Sequence, residues 1–459
     1  MHDFYYKNGT LHCEEVAVED LVAQAGTPLY IYSQKTIVEN IRRLEIALAP
    51  LDPLICYAIK ANSSLGILHL AAKMGTGFDV VSLGELLKVR QAGGDTHKCV
   101  FAGVAKTIHE ITESLKLGIY AFNIESIPEL ERINEIAGNL KLKAPIAIRV
   151  NPNVDAGTHS KITTGTYKNK FGIAFEEISD LYSRIASEFQ NIYIRGIQMH
   201  IGSQITQPTP FVQSIQKMVP LVEKLRDLYN IEFFSIGGGI GIAYQDALQS
   251  GSPEWWQGKG ADFMSPEKFA QAIIPLLQPL GLKILLEPGR FIVGNAGILV
   301  TEVQYVKQTP QKNFVVVDAG MNDLIRPALY DSYHEIIPVE EDLLQETFKA
   351  DVVGPICESA DTFCQDREIA KVEQGDYLVL MSAGAYGMTM ACNYNGRPIP
   401  AEVIVNHDKA DYLRLRESIQ TTWRYEGIPE WLLFEDEKKQ SQTGQPLPVT
   451  EPLPESPQE

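Results

Sequence analysis

Leu54-Ile55-Cys56-Tyr57-Ala58-Ile59-Lys60-Ala61-Asn62 reads as a strand that ends in an amine. The apolar run from Leu54 to Ile59 has the length of a buried strand, and Ala61, Asn62, Ser63 and Ser64 behind Lys60 favour a turn or a helix start. An amine at the C-terminal tip of a buried strand stands where α/β barrels keep their chemistry. It can hold a carbonyl compound as a Schiff base when its surroundings leave the amine neutral. Most strand-end lysines only snorkel into solvent, so Lys60 takes its meaning from what lies around it.

Working outward, short apolar runs alternate with helical segments from about residue 33 to 290. Strands are expected at Leu54–Ile59, Gly77–Val81, Cys99–Ala102, Ala121–Ile124, Ile146–Val150, Ile194–Met199, Phe233–Ile236 and Lys283–Leu286. Between them, segments such as Leu65–Met74, Leu83–Ala92 and Phe211–Leu228 repeat apolar residues at helical spacing. Eight such alternations predict a parallel sheet, most economically closed as a (β/α)8 TIM-type barrel. An open doubly wound sheet is the alternative, and no GxGxxG follows a first strand to support its dinucleotide-binding form.

After Arg290 the pattern changes. Ile298–Val306, Asn313–Asp318, Tyr377–Met381 and Glu402–Asn406 are strand-like without long helices between them, which predicts a mostly antiparallel β domain over 291–434. Residues 1–32 are assigned to it, because Phe4–Tyr6 and Leu29–Tyr32 look extended. Gln245–Pro266, with Trp255-Trp256 among Gly and Ser, reads as an elaborated loop. Residues 435–459 are acidic and Pro-rich and are expected to be a disordered tail.

Composition narrows the function. The 459 residues carry a formal charge of −18, which opposes binding to a nucleic-acid backbone. No uninterrupted apolar stretch is long enough for a membrane span, and MHDFYYK at the start lacks the features of a signal peptide. A cytoplasmic enzyme is expected. The 6 cysteines are scattered without a CxxC pair, so reduced thiols fit better than disulfides or a zinc site, and no metal is expected.

Polar groups cluster at the predicted strand ends. Gly237-Gly238-Gly239-Ile240-Gly241 follows the seventh strand, and its backbone N–H groups can approach an anion. Glu287-Pro288-Gly289-Arg290 follows the eighth and places a carboxylate at the barrel mouth. His200-Ile201-Gly202-Ser203-Gln204 ends the sixth. Asp79, in Phe78-Asp79-Val80-Val81-Ser82, adds a carboxylate at the second, with Glu85 on the helix behind it. In the β region Gly354-Pro355-Ile356-Cys357-Glu358-Ser359 sets a thiol beside a carboxylate, and Gly384-Ala385-Tyr386-Gly387 sets a phenol between glycines. A thiol near a cation can be acidic enough to pass a proton.

Taken in order, YAIKAN, FDVVS with GEL, NPNVDAGTHSKITTG with KFGI, HIGSQ, GGGIG, EPGR, GPICES and GAYG resemble the pyridoxal-phosphate-dependent decarboxylases of the alanine-racemase-like barrel class (fold type III). Within that class the chain most resembles the diaminopimelate decarboxylase family, over roughly residues 5–430. The resemblance implies pyridoxal 5'-phosphate bound to Lys60 as a Schiff base, stacked on His200 and paired through its ring nitrogen with Glu287. It implies a phosphate site at Gly239, Gly289, Arg290, Ser203 and Tyr386, with Asp79 beside the cofactor. Substrate contacts are implied for Arg290, Arg326, Tyr330, Glu358 and Tyr386, and proton return to Cα for Cys357. In this class Cys357 and Glu358 reach the neighbouring subunit's site, so a homodimer with shared active sites is implied.

The substrate implied is meso-2,6-diaminopimelate, decarboxylated to L-lysine in the last step of lysine biosynthesis. Diaminopimelate carries an amino-acid group at both ends. Arg326 in Arg326-Pro327-Ala328-Leu329-Tyr330 suits the distal carboxylate and Glu358 the distal ammonium. Rival readings are decarboxylation of ornithine, arginine, carboxynorspermidine or a modified amino acid of secondary metabolism. A racemase of the class and a non-catalytic cofactor-binding protein are more remote. The first would need a second base; the second would typically omit the β domain.

Overall fold

The computed structural model describes residues 1–154 and 170–432. The chain opens with an antiparallel meander, β1 (Phe4–Lys7), β2 (Thr10–Cys13) and β3 (Val16–Ala17). β4 (Leu29–Ser33) follows and is buried along its whole length. Ser33 ends it and caps the helix Gln34–Leu48, its side chain accepting from Thr36 N–H, so one residue stops the strand and starts the barrel's first helix.

Eight parallel strands then form a ring: β5 (Leu54–Ala58), β6 (Gly77–Val80), β7 (Cys99–Phe101), β8 (Ala121–Ile124), β9 (Ala144–Asn151), with a two-residue appendage β10 (Ile173–Ala174), then β11 (Ile192–Met199), β12 (Phe233–Ser235) and β13 (Lys283–Leu286). β13 pairs with β5 in register Leu285–Leu54, and β8 pairs with β9 in register Phe122–Ile146. Those pairings close the barrel and exclude the open sheet. Each predicted barrel strand is present, with ends shifted by a few residues at most. The strands read as unbroken apolar runs because both faces are covered. Tyr57, Phe78, Phe101 and Phe122 are fully buried, each contributing about 1.5–3 kcal/mol by burial.

The second sheet is built from β4, β14 (Gly297–Gln308), β15 (Asn313–Val317), β16 (Ile336–Pro338), β17 (Thr347–Val353), β18 (Thr362–Ala370), β19 (Tyr377–Leu380), β20 (Ala401–Asn406) and β21 (Lys409–Arg414). Most pairs are antiparallel; β15–β17 and β4–β20 are parallel. The N-terminal meander, through Phe4 and Leu11, and the helix Val18–Ala25 behind it, through Val18 and Leu21, pack on this sheet against Ile298, Val300 and Val379. The Trp255-Trp256 segment is more than a loop. It contains the helix Pro253–Gln257, and Trp255 packs on Trp256 and Phe263.

Met1–Glu417 is one compact unit and Ser418–Glu459 another. In the second, the described residues 418–432 include the 3-10 turn Ile419–Trp423. The expected tail, 435–459, and residues 155–165 of the NPNVDAGTHSKITTG motif lie outside the described residues. Among the described residues no helix is long and apolar enough to cross a membrane.

Candidate active site

At the C-terminal ends of the barrel strands lies a cavity of about 480 Å³. It collects Lys60, Asp79, His200, Ser203, Gly239, Glu287, Gly289, Arg290, Arg326, Tyr330 and Tyr386 from segments more than 300 residues apart in sequence. Of the residues implied for cofactor or substrate, Cys357 and Glu358 are not among its walls.

Lys60 follows β5, and its Nζ lies 2.6 Å from Asp79 Oδ2 on the adjoining β6. Asp79 is buried, whereas Lys60 keeps 40% of its side chain accessible because it lines the cavity. Burial alone lowers the Lys60 pKa, but the attraction of Asp79, with smaller contributions from Tyr386 and Glu287, holds it above the ordinary lysine value. Glu85 does not line the cavity. It accepts from Val81 N–H, while Ser82 accepts from Glu85 N–H at the start of the helix Leu83–Gln91.

Glu287 sits on the cavity floor behind β13. Ser235 Oγ donates to its Oε1 at 2.7 Å, Gln198 Nε2 to its Oε2 at 2.9 Å, and Asn123 Nδ2 to Oε1 at 3.4 Å. Burial and the nearby Asp79 charge push its pKa up to about 7, against the opposing effect of those donors. The carboxyl is therefore poised between its two forms near neutrality.

The glycine run after β12 passes close under the cavity. Gly237 has φ +71° and Gly239 φ +102°, and a Cβ on Gly239 would stand 2.3 Å from Gly202 O. Only glycine meets both demands. Gln204 fastens the run: Ile242 N–H donates to Gln204 Oε1, and Gln204 Nε2 donates to Ile242 O at 2.6 Å. Gly238 N–H donates to His200 Nδ1 at 3.2 Å, which assigns the ring proton to Nε2. Burial, Arg149 and Lys60 depress the His200 pKa well below its ordinary value, so the ring is neutral.

Arg290 and Arg326 are both buried in the wall, and neither pairs with a carboxylate among the described residues. Arg290 donates to Ser203 Oγ at 3.1 Å and to the Tyr244 hydroxyl, and its Nε has no hydrogen-bond partner among the described residues. Arg326 Nη1 meets His334 Nε2 at 2.8 Å, and its Nη2 donates to Ser332 Oγ at 3.3 Å. His334 Nδ1 faces Met381 O at 2.8 Å and must donate to that carbonyl, so Nε2 is the acceptor for Arg326.

Sequence reasoning missed several residues here. Arg149 and Gln198 line the cavity from inside β9 and β11. Their signal was available, since a polar residue inside an otherwise apolar buried strand needs a partner. Arg149 finds one in Glu125 at 2.6 Å and lies over the Phe171 ring. Tyr244 and His334 carried no comparable signal.

Cys357 and Glu358 are exposed. Cys357 N–H donates to Asn395 Oδ1, and Glu358 accepts from the Tyr394 hydroxyl. Their loop is tied to the segment that leads to Arg326. Asp361 Oδ2 accepts from Ile356 N–H and its Oδ1 from Met321 N–H, each at 2.6 Å.

Residues 34–294 match the family model described as pyridoxal-dependent decarboxylase, pyridoxal binding domain. The chain is 43% identical over 426 residues to diaminopimelate decarboxylase of Vibrio cholerae, covering 92% of this chain and 98% of that protein. The chain belongs to the diaminopimelate decarboxylase family. A second family member, from Neisseria meningitidis serogroup B, is 46% identical over 412 residues, covering 90% of this chain and 95% of the relative. The M. jannaschii diaminopimelate decarboxylase crystallised with L-lysine superposes with a TM-score of 0.86 at 36% identity, covering 94% of this chain and all of that one (100%).

The cavity fits the pyridoxal cofactor that the matching family model's description implies. A pyridine aldehyde phosphate asks for an amine, an acid or carboxylate for its ring nitrogen, and an anion cradle. Lys60, Glu287 and the side-chain-free surface of Gly239 with Arg290 meet those demands within one cavity.

Proposed function

We propose that the chain is a pyridoxal-phosphate-dependent carboxy-lyase that converts meso-2,6-diaminopimelate into L-lysine and CO2, closing lysine biosynthesis. Pyridoxal 5'-phosphate, when bound, supplies the electron sink for the pair left on Cα as CO2 departs. In this reading Lys60 attaches the cofactor aldehyde, and Asp79 governs the charge of that amine. Glu287 holds the proton of the ring nitrogen, and neutral His200 covers a ring face. Ser203, Gly239, Gly289, Arg290 and Tyr386 bind the phosphate end.

Arg326 and Tyr330 take the distal carboxylate, and Arg290 and Tyr386 also contact substrate. The observation that carries the substrate assignment is Arg326, a buried guanidinium on the cavity wall held by neutral partners only among the described residues. Such a cation is costly unless an anionic ligand completes it. Ornithine has no distal carboxylate to offer. The measurement that tests the assignment is kcat/KM of Arg326→Ala for diaminopimelate, expected to fall on the order of 100-fold through KM. An unchanged KM would remove Arg326 from substrate recognition.

The same reading divides the chain into a cofactor-binding barrel, 33–290, and substrate and dimer contacts from 1–32 and 291–434. It makes the catalytic unit a homodimer, in which the partner subunit's Cys357 returns a proton to Cα and the partner subunit's Glu358 meets the distal ammonium. Support comes from the position of the two residues, exposed and outside their own chain's cavity. The free thiols agree with a reducing, cytoplasmic setting.

A further inference from the structure

Tyr244 lies behind the cavity wall, between its two carboxylate-free arginines. Its hydroxyl accepts a hydrogen bond from Arg290 Nη1. Its ring lies under both cations, 4.7 Å from Arg326 Cζ and 5.8 Å from Arg290 Cζ. The His334 ring meets it edge-on at 5.3 Å and accepts from Arg326 on the other side. Two buried guanidinium groups this close repel each other, and burial first, then this repulsion, lowers the Arg326 pKa. The phenol oxygen accepts from Arg290 while the ring face lies against Arg326, and both contacts offset that repulsion.

We propose that Tyr244 is a positioning residue that sets selectivity for a dicarboxylic substrate, by holding the Arg326 guanidinium at a fixed place relative to Arg290. The proposal rests on the reading of Arg326 as the distal-carboxylate partner. Fixing that distance in advance leaves less ordering to be done when substrate binds. It also places Arg326 for one length of substrate, since a splayed Arg326 would serve longer or shorter acids equally well. The Tyr244 pKa agrees with this role: burial raises it, yet the two guanidinium groups outweigh burial and bring it below the usual tyrosine value.

The test is Tyr244→Phe in the full-length protein loaded with pyridoxal phosphate. The ring stays, and only the oxygen that fastens it to Arg290 is lost. KM for meso-diaminopimelate should rise about tenfold, as for loss of a hydrogen bond to a charged group, with kcat changed less than about threefold. Cofactor absorbance should be retained. Affinity is measured separately by calorimetry with meso-diaminopimelate on Lys60→Ala and on Lys60→Ala with Tyr244→Phe, neither of which can turn it over. Weaker binding in the double variant supports the proposal. Equal binding overturns it while leaving the substrate assignment intact, and absence of binding in both overturns the substrate assignment itself. A fall in kcat with KM unchanged would also contradict the proposal. Should Tyr244→Phe not fold, Tyr244→His keeps a ring with an acceptor nitrogen and permits the same comparison, with a smaller rise in KM expected.

Discussion

The Lys60 ammonium is held 2.6 Å from a buried Asp79 carboxylate, and this contact fixes the charge of the residue proposed to bind the cofactor. With its pKa raised, Lys60 is protonated at neutral pH in the cofactor-free chain, whereas attack on an aldehyde needs a free lone pair. Asp79 thus holds the amine in its protonated, unreactive form in the cofactor-free chain.

Asp79→Asn removes the group that raises the Lys60 pKa. Covalent uptake of pyridoxal phosphate by the cofactor-free variant should reach its half-maximal rate at a pH lower by at least about one unit. Stopped-flow absorbance against pH measures it. An unmoved profile would mean that Asp79 does not control the amine.

Glu287 gives a second pH effect of defined sign. Its folded-state pKa, about 7, is raised above the ordinary glutamate value of 4.5. The protonated carboxyl therefore favours the folded state. That contribution is complete below about pH 4.5 and is lost as pH rises through about 7, a change on the order of 3 kcal/mol. Glu287→Gln cannot ionise, so in the cofactor-free state it should gain thermal stability relative to the parent between pH 6 and 8. Its kcat should fall on the order of 100-fold, because the ring nitrogen loses its partner. Calorimetric scans across that pH range and steady-state rates check both.

The barrel was legible because its strands are buried on both faces and read as unbroken apolar runs ended by polar residues. Lys60, His200 and Glu287 stand at those ends, where the polar residue itself is the signal. The β domain was less legible. β18 reads Thr-Phe-Cys-Gln-Asp-Arg-Glu-Ile-Ala, and its exposed middle hides a strand whose order comes from pairing with β17. Tyr244 was invisible for another reason: its role depends on Arg290 and Arg326, which lie 46 and 82 positions further along the chain and meet it only after folding.

Gly239→Ala tests the anion cradle. At φ +102°, with a Cβ 2.3 Å from Gly202 O, alanine forces the backbone out of place at a strain on the order of 1–3 kcal/mol. Affinity for pyridoxal phosphate, followed by equilibrium dialysis, should drop about tenfold or more, with Lys60 still able to react. Undiminished affinity would move the phosphate elsewhere.

Shared sites predict complementation. Lys60→Ala and Cys357→Ala homodimers should each be nearly inactive. When they are dissociated and mixed equally, about half of the dimers are mixed, and each restores one of two sites. Activity should recover to roughly a quarter of the parent's. Recovery to no more than the sum of the separate variants would place Cys357 and Lys60 in the same subunit's site or remove Cys357 from the reaction.

The most direct measurement of the central claim is CO2 release by the purified protein with pyridoxal phosphate, comparing meso-diaminopimelate with L-ornithine and L-lysine at equal concentration. The account predicts release from diaminopimelate alone, with one L-lysine formed for each CO2. Turnover of ornithine equal to or better than that of diaminopimelate would contradict it.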